Sequence, residues 1–200
     1  MSRENTELYK QEISALKKKY KGKIKILLGI ECDYLSDESL EGYDYIIGSV
    51  HYLLKEGEYV FVDYSRERQI ESVNRYYGGD YYAFIEDYYT ALADVYNKTK
   101  CDIIGHFDLI TKYNANDRLF DTNHPRYIAA WKKAADAIIK TPAVVEINSG
   151  GMARGYLKEP YPAKEIIDYF KEGGKRMIYS SDCHNKDCLL FGYEDVKKYL

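Results

Sequence analysis

The chain reads as an α/β protein built on a parallel sheet with crossover helices, about five βα units in all. Three observations predict this. Short continuous apolar runs of strand length recur along the sequence, in the manner of strands covered on both faces. Stretches of helical period separate them, so that strand and helix alternate about five times. Four of the five runs also empty into a polar residue of metal-ligand type, as the carboxyl ends of barrel strands do when they converge on one mouth. Two hundred residues suffice for one domain with a sizeable core.

Residues 4–20 form the first expected helix, with Leu8, Ile13, Leu16 and Tyr20 near helical spacing and a lysine-rich last turn suited to its dipole. Ile24–Ile30 (IKILLGI) is the first strand and ends at Glu31. Tyr45–Val50 (YIIGSV) is the second, ending at His51, and Glu58–Val62 pairs back as a hairpin after the Lys55–Gly57 turn. Helices follow over Arg66–Tyr76 and Gly79–Asn97, the second rich in Tyr, Phe and Leu. Asp102–Gly105 (DIIG) is a short third strand, ending at His106. Ile128–Lys140 is helical, entered through Asn123-His124-Pro125 with proline in the first turn. Ala143–Ile147 (AVVEI) is the fourth strand and runs into the glycine-rich stretch Asn148–Gly155. Ala163–Glu172 is a helix closed by Gly173-Gly174. Met177–Ser180 is the fifth strand, emptying into Asp182 and His184, and a last helix lies near Tyr193–Leu200.

Composition excludes several classes. A net charge of −3, with both signs interspersed, gives no electrostatic footprint for nucleic acid. No apolar run approaches the length of a membrane span. The first ten residues, MSRENTELYK, lack signal or transit character. Cys32, Cys101, Cys183 and Cys188 show neither CxxC spacing nor a disulfide framework, which predicts a reducing, cytoplasmic setting. Tyrosine is over-represented at 23 residues, with pairs at 76–77, 81–82 and 88–89; amphipathic packing with hydroxyls reaching the surface is the expectation.

Singly, each polar strand end has a plain structural reading. Glu31 fits a cap partner, His51 and His106 fit satisfied core imidazoles, and Asp182-x-His184 fits a turn. On extended backbone, however, residues i and i+2 share a face, which places the Asp182 carboxylate beside the His184 imidazole. Five such residues, each following an apolar strand, favour a metal centre. Hard oxygen with imidazole nitrogen suits Zn, Mn or Fe.

The stretches GIECDY (Gly29–Tyr34), IIGSVH (Ile46–His51), IGHFDLI (Ile104–Ile110), EINSGGMARG (Glu146–Gly155), EPYP (Glu159–Pro162) and SSDCH (Ser180–His184) resemble the PHP (polymerase and histidinol phosphatase) family. Their order and spacing are most similar to its histidinol-phosphatase branch. The resemblance covers nearly the whole chain and implies a distorted (β/α)7 TIM-like barrel with three divalent metal ions at the strand ends. It also implies a cytoplasmic hydrolase of a small-molecule phosphomonoester, converting L-histidinol phosphate to L-histidinol and phosphate in histidine biosynthesis. Glu31 matches the carboxylate bridging the first and second metals; His51 and His106 match the other protein ligands of the second. Asp182 matches a ligand of the first metal, His184 a ligand of the third, and Arg154 the basic residue that meets substrate phosphate. A planar guanidinium suits that bidentate task. His124 matches no ligand position and is expected to be structural.

The chain departs from the family pattern in having no histidine before His51. The family's opening His-x-His strand and the strand after it have no counterpart, which implies an N-terminally shortened single domain over 1–200 and an incomplete barrel. About one metal site then keeps all its protein ligands. Weak or absent turnover is the expectation for this chain. Open strand edges are expected to be covered by a homodimer or by the N-terminal helix. The alternatives are a PHP remnant serving as a metal-binding or interaction module, and a PHP phosphoesterase for another substrate.

Overall fold

The computed structural model describes residues 3–114 and 119–200. Helix α1 (Arg3–Lys19) leads to strand β1 (Gly29–Asp33), then β2 (Tyr45–Ser49) and a hairpin of β3 (Tyr52–Lys55) and β4 (Glu58–Phe61). Helices α2 (Arg66–Tyr77) and α3 (Tyr81–Thr99) precede β5 (Ile103–Ile104), α4 (Pro125–Ile139) and β6 (Val144–Asn148). The short helix α5 (Gly150–Ala153), then α6 (Lys164–Glu172), β7 (Met177–Ser180) and α7 (Tyr193–Val196) complete the chain.

Strands β1, β2, β5, β6 and β7 lie side by side in that order, every neighbouring pair parallel. Spatial order follows chain order without reversal, which is the winding of a barrel and not of a doubly wound sheet. Among the described residues the outer sides of β1 and β7 have no strand partner, so the barrel is open. The expected incomplete α/β barrel with about five βα units is what is found.

One register row, Cys32, Gly48, Ile104 and Val145, points to the helix side, where Cys32, Ile104 and Val145 are buried. One residue further along their strands, Asp33, Ser49 and Glu146 point to the opposite, concave face. Helix α3 begins at the cap Asp80, whose Oδ1 accepts from the amides of Tyr82 and Ala83 at 2.9 and 3.2 Å. Arg126, at the start of α4, donates to both Asp80 (2.9 Å) and Glu86 (2.7 Å) and so ties the starts of α3 and α4 together. The hairpin turn runs through Glu56 and Gly57 with φ of 54° and 82°, the pair of positive values that a two-residue type I′ turn requires.

Two sequence expectations are corrected. The first strand begins at Gly29, not Ile24, and Ile24 and Leu27 are 63% and 43% exposed rather than buried on both faces. The cause is the edge position of β1: Asp44 takes the Leu28 amide on its side chain at 2.6 Å, and the ladder with β2 starts one residue later, at Gly29↔Tyr45. Glu31 therefore lies mid-strand. The tyrosine pairs also divide. Tyr88 and Tyr89 are fully buried, their hydroxyls donating inward to the Phe107 carbonyl (3.1 Å) and the Tyr127 hydroxyl (3.5 Å), while the 76–77 and 81–82 pairs are half-buried.

Candidate metal centre

Three side chains from three strands converge at the concave mouth. Glu31 rises from the middle of β1, His51 stands two residues beyond β2, and His106 two residues beyond β5. Both imidazoles address the same oxygen: His106 Nε2 is 2.9 Å and His51 Nε2 3.4 Å from Glu31 Oε1. The three ligand atoms lie within 4.8 Å of one another. The two rings meet edge to face with centroids 5.0 Å apart.

Neighbouring acids brace the two histidines differently. Asp33 Oδ2 accepts the His51 backbone N–H at 2.7 Å and faces His51 Nδ1 at 3.2 Å, while Asp33 Oδ1 accepts from Leu35 N at 2.8 Å. With Nδ1 donating to Asp33, Nε2 presents its lone pair toward Glu31, the tautomer a metal ligand needs. His106 is fixed through its backbone instead. Glu146 Oε2 accepts the His106 N–H at 2.8 Å and the Asn148 amide at 3.1 Å. His106 Nδ1 is buried and has no partner among the described residues.

These contacts shape the charges. Partial desolvation opposes ionisation of Glu31, but the hydrogen bond and charge of His106 hold its carboxyl down to about 2. Burial works against the His106 cation too, yet the hydrogen bond and charge of Glu31, with Glu146 and Asp182 behind them, raise it to about 9. The metal-free pair is therefore held as a carboxylate facing an imidazolium. Further in, burial pushes the Asp108 carboxyl up to about 7 while its Oδ2 accepts from Ala163 N, at the start of α6 (2.9 Å).

A second polar group lies across the mouth. Arg154, just past α5, donates from Nη2 to Asp182 Oδ2 at 2.8 Å and from Nη1 to the Asp182 carbonyl at 3.3 Å. His184 Nδ1 lies 3.0 Å from Arg154 Nη1 and 2.9 Å from the same carbonyl. Gly150 makes this possible: a Cβ there would sit 2.7 Å from Asp182 Oδ2 and 2.8 Å from Arg154 Nη2. Asp182 and His184 are adjacent, their Oδ1 and Nδ1 3.6 Å apart, but not by the extended backbone expected from sequence. Strand β7 stops at Ser180 and Asp182 has φ 46°, so a left-handed turn brings His184 back.

Thus the structure brings Glu31, His51 and His106 together and sets Asp182 and His184 with Arg154. His124 caps α4, its Nδ1 accepting from Arg126 N at 3.2 Å and its ring stacked on Tyr82, a structural part as expected. Sequence reading missed Asp33 and Glu146. Both had a signal: Asp33 shares the strand face of Glu31, and Glu146 is an acid within an otherwise apolar strand.

One carboxylate oxygen and two imidazole Nε2 atoms facing a common point are a donor set that fits a divalent cation of the Zn, Mn or Fe type. The 2.9 Å contact between Glu31 and His106 lies where such a cation would bind, and the brace on His51 is the kind that accompanies metal-ligating histidine.

A Schizosaccharomyces pombe protein named probable histidinol-phosphatase is 27% identical over 203 residues, covering 96% of this chain and 64% of the relative. A Bacillus subtilis histidinol-phosphatase is 26% identical over 212 residues, covering 97% of this chain and 76% of its own. The chain thus spans about two thirds to three quarters of the length of these relatives. A crystal structure of a Listeria monocytogenes protein superposes with a TM-score of 0.82 over 98% of this chain and 77% of that one, at 21% identity, and so shares the fold. The family model of the PHP domain matches residues 2–150, three quarters of the sequence, and the chain belongs to the PHP domain family.

Proposed function

We propose that the chain is a metal-dependent phosphomonoesterase of histidinol-phosphatase type, hydrolysing L-histidinol phosphate to L-histidinol and phosphate. The observation that carries this reading is the convergence of His51 and His106 Nε2 on Glu31 Oε1 at the carboxyl end of the sheet. The names of the relatives support the substrate.

In this reading Glu31, His51 and His106 hold the cation, Zn, Mn or Fe. When bound, it supplies a Lewis acid for a phosphoryl oxygen and makes water a nucleophile near neutral pH. Asp33 keeps the His51 tautomer fixed, and Glu146 keeps His106 at its place by the backbone. Arg154 turns its guanidinium from Asp182 to the phosphate oxygens, where a planar fork neutralises charge. Asp182 and His184 complete the opposite wall of the site. A P–O bond forms to water as the ester P–O bond breaks, and the proton lost by water ends on the alcohol. A second copy of the chain is the cover we assign to the open β1 and β7 edges; light scattering tests it, and a monomer is the result against it.

A second reading, a metal-binding module without turnover, is favoured by one observation: Asp182 is engaged by Arg154 and does not join the Glu31 group. Elemental analysis of the purified protein, run with phosphate release from L-histidinol phosphate, separates the two. Metal with turnover supports the hydrolase, metal without turnover supports the module, and no metal under replete conditions removes both.

A further inference from the structure

The four cysteines divide into two kinds. Cys32 and Cys101 are buried, and a thiol packed in apolar surroundings is inert. Cys183 is exposed and Cys188 half-buried, and both stand in the segment after β7, five residues apart. The fold draws these two together. Cys183 Sγ donates to the Asn185 carbonyl at 2.6 Å, and the Cys188 amide donates to the same oxygen at 2.9 Å. The sulfur therefore lies no farther from the Cys188 nitrogen than those two contacts laid end to end. One turn of 3₁₀ helix over Lys186–Cys188 folds the chain back, opened by the Asn185 side chain, which accepts from Asp187 N at 3.0 Å. Two accessible thiols on one tight turn meet the reach that a disulfide needs.

The pair sits where it can act on the mouth. Cys183 lies between Asp182 and His184, the two residues that meet the Arg154 guanidinium. We propose that Cys183 and Cys188 are a redox modification site, oxidised by a low-molecular-weight disulfide of the glutathione type to an intraloop disulfide that loosens the hold on Arg154. The Cys183 thiolate attacks one sulfur of the small disulfide and expels a thiolate, leaving a mixed disulfide. The Cys188 thiolate then attacks the Cys183 sulfur, closes the loop and expels the second thiolate. The two cysteines lose two electrons, the small disulfide gains them, and the two thiol protons end on its halves. Closure takes Cys183 Sγ off the Asn185 carbonyl and moves the peptides on either side of it. The Asp182 carbonyl and His184 Nδ1, both at Arg154 Nη1, are thereby displaced, and the guanidinium is freer for an anion. Disulfides in reducing compartments are of this transient, sensing kind. The bond itself does not depend on the hydrolase reading, and its effect needs only that Arg154 binds phosphate.

The test equilibrates the metal-free chain in glutathione buffers from reducing to oxidising, quenches with iodoacetamide, and cleaves at lysine. Because Lys186 lies between the two cysteines, the peptides on either side of it stay joined only if the disulfide has formed. Mass spectrometry is expected to find them joined at the oxidising end and separated by dithiothreitol, with Cys32 and Cys101 still reduced. Cys188→Ser is expected to stop at the mixed disulfide of Cys183 with glutathione. In oxidised wild type the His184 ring resonances should shift while those of His124, which caps α4, stay in place. Isothermal titration with inorganic phosphate should show binding about 3-fold tighter, and Cys188→Ser should show neither change. Both thiols alkylated at the oxidising end, or chains joined to one another on a non-reducing gel, overturn the intraloop pair. A joined pair with unmoved His184 resonances and unchanged phosphate affinity overturns its coupling to Arg154. Absence of phosphatase turnover in the reduced, metal-loaded protein bears on the hydrolase reading alone.

Discussion

The two polar groups at the mouth of the sheet are built by different means. Glu31, His51 and His106 stand on or just beyond strands of the central sheet, and His106 is almost fully buried. Each histidine has its own carboxylate brace, Asp33 or Glu146. Asp182, His184 and Arg154 stand on segments that follow strands, hold one another, and leave His184 with 74% of its side chain exposed. The first group is positioned before any ligand arrives; the second owes its arrangement to one guanidinium that a phosphate would reclaim. Preorganisation of the first kind is what a metal site needs, since ligands fixed by their neighbours lose little entropy on binding. Movable pairing of the second kind suits a group that exchanges partners with substrate.

The largest expected effect breaks the comparison directly. Glu31→Gln or His106→Ala removes a first contact and is expected to lower zinc affinity by more than about 100-fold, since even the braces of such ligands are worth about 10- to 100-fold. His184→Ala is expected to leave it little changed. Equilibrium dialysis with elemental analysis reads both. Equal losses in the two groups would mean that the centre spans the whole mouth. Next comes the brace. Asp33→Asn keeps shape but gives up the charge beside His51 Nδ1, and is expected to cost about 10- to 100-fold in zinc affinity with the fold intact by circular dichroism. Retained affinity would show that Asp33 serves Leu35 and the loop alone.

How legible this contrast was in the sequence differs between the groups. Continuous runs such as YIIGSV and AVVEI announced buried parallel strands, and the polar residue after each run announced the mouth. His51 and His106 followed because only a strand end was needed to find them, whereas Glu31, read as a strand end, lies mid-strand. Register at an edge was not legible: IKILLGI looks like a strand throughout, yet among the described residues no strand pairs with its first half, and the ladder waits for the Asp44 side chain at Leu28. Nor was the geometry of Asp182-x-His184, where the left-handed φ of Asp182 replaces strand alternation by a turn. That conformation depends on Arg154 and on the absence of a side chain at Gly150, both about 30 residues away in sequence. Glu146 was legible in principle, because an acid inside a buried strand must have a task.

A third expectation sharpens the contrast through pH. The His106 pKa is raised from 6.5 to about 9 in the folded metal-free chain, so the stability from its proton is full below pH 6.5 and is lost as pH rises through about 9. Glu31 is lowered from 4.5 to about 2, so its contribution is full above pH 4.5 and is lost as pH falls through about 2. Thermal melts of metal-free protein should therefore fall between pH 6.5 and 9, and Glu31→Gln should flatten that fall. Zinc affinity should move the opposite way and rise over the same interval, because cation and proton compete for His106. A melt that is flat from pH 6.5 to 9 in wild type would place the proton elsewhere.

The smallest effect concerns the Arg154 group. The Arg154–Asp182 pair is partly exposed, with side-chain exposures of 35% and 24%, and surface-type pairs contribute about 0–1 kcal/mol. Asp182→Asn should therefore lower the melting temperature only slightly. The same change removes the carboxylate that competes with phosphate for the guanidinium, so binding of inorganic phosphate to metal-free protein should tighten. Arg154→Lys in the Asp182→Asn background should reverse that gain, because an ammonium is a point donor without the planar fork that grips two phosphate oxygens. Isothermal titration with inorganic phosphate reads both changes. If Asp182→Asn instead weakens phosphate binding, Arg154 is held in its binding posture by Asp182, and the second group is as preorganised as the first.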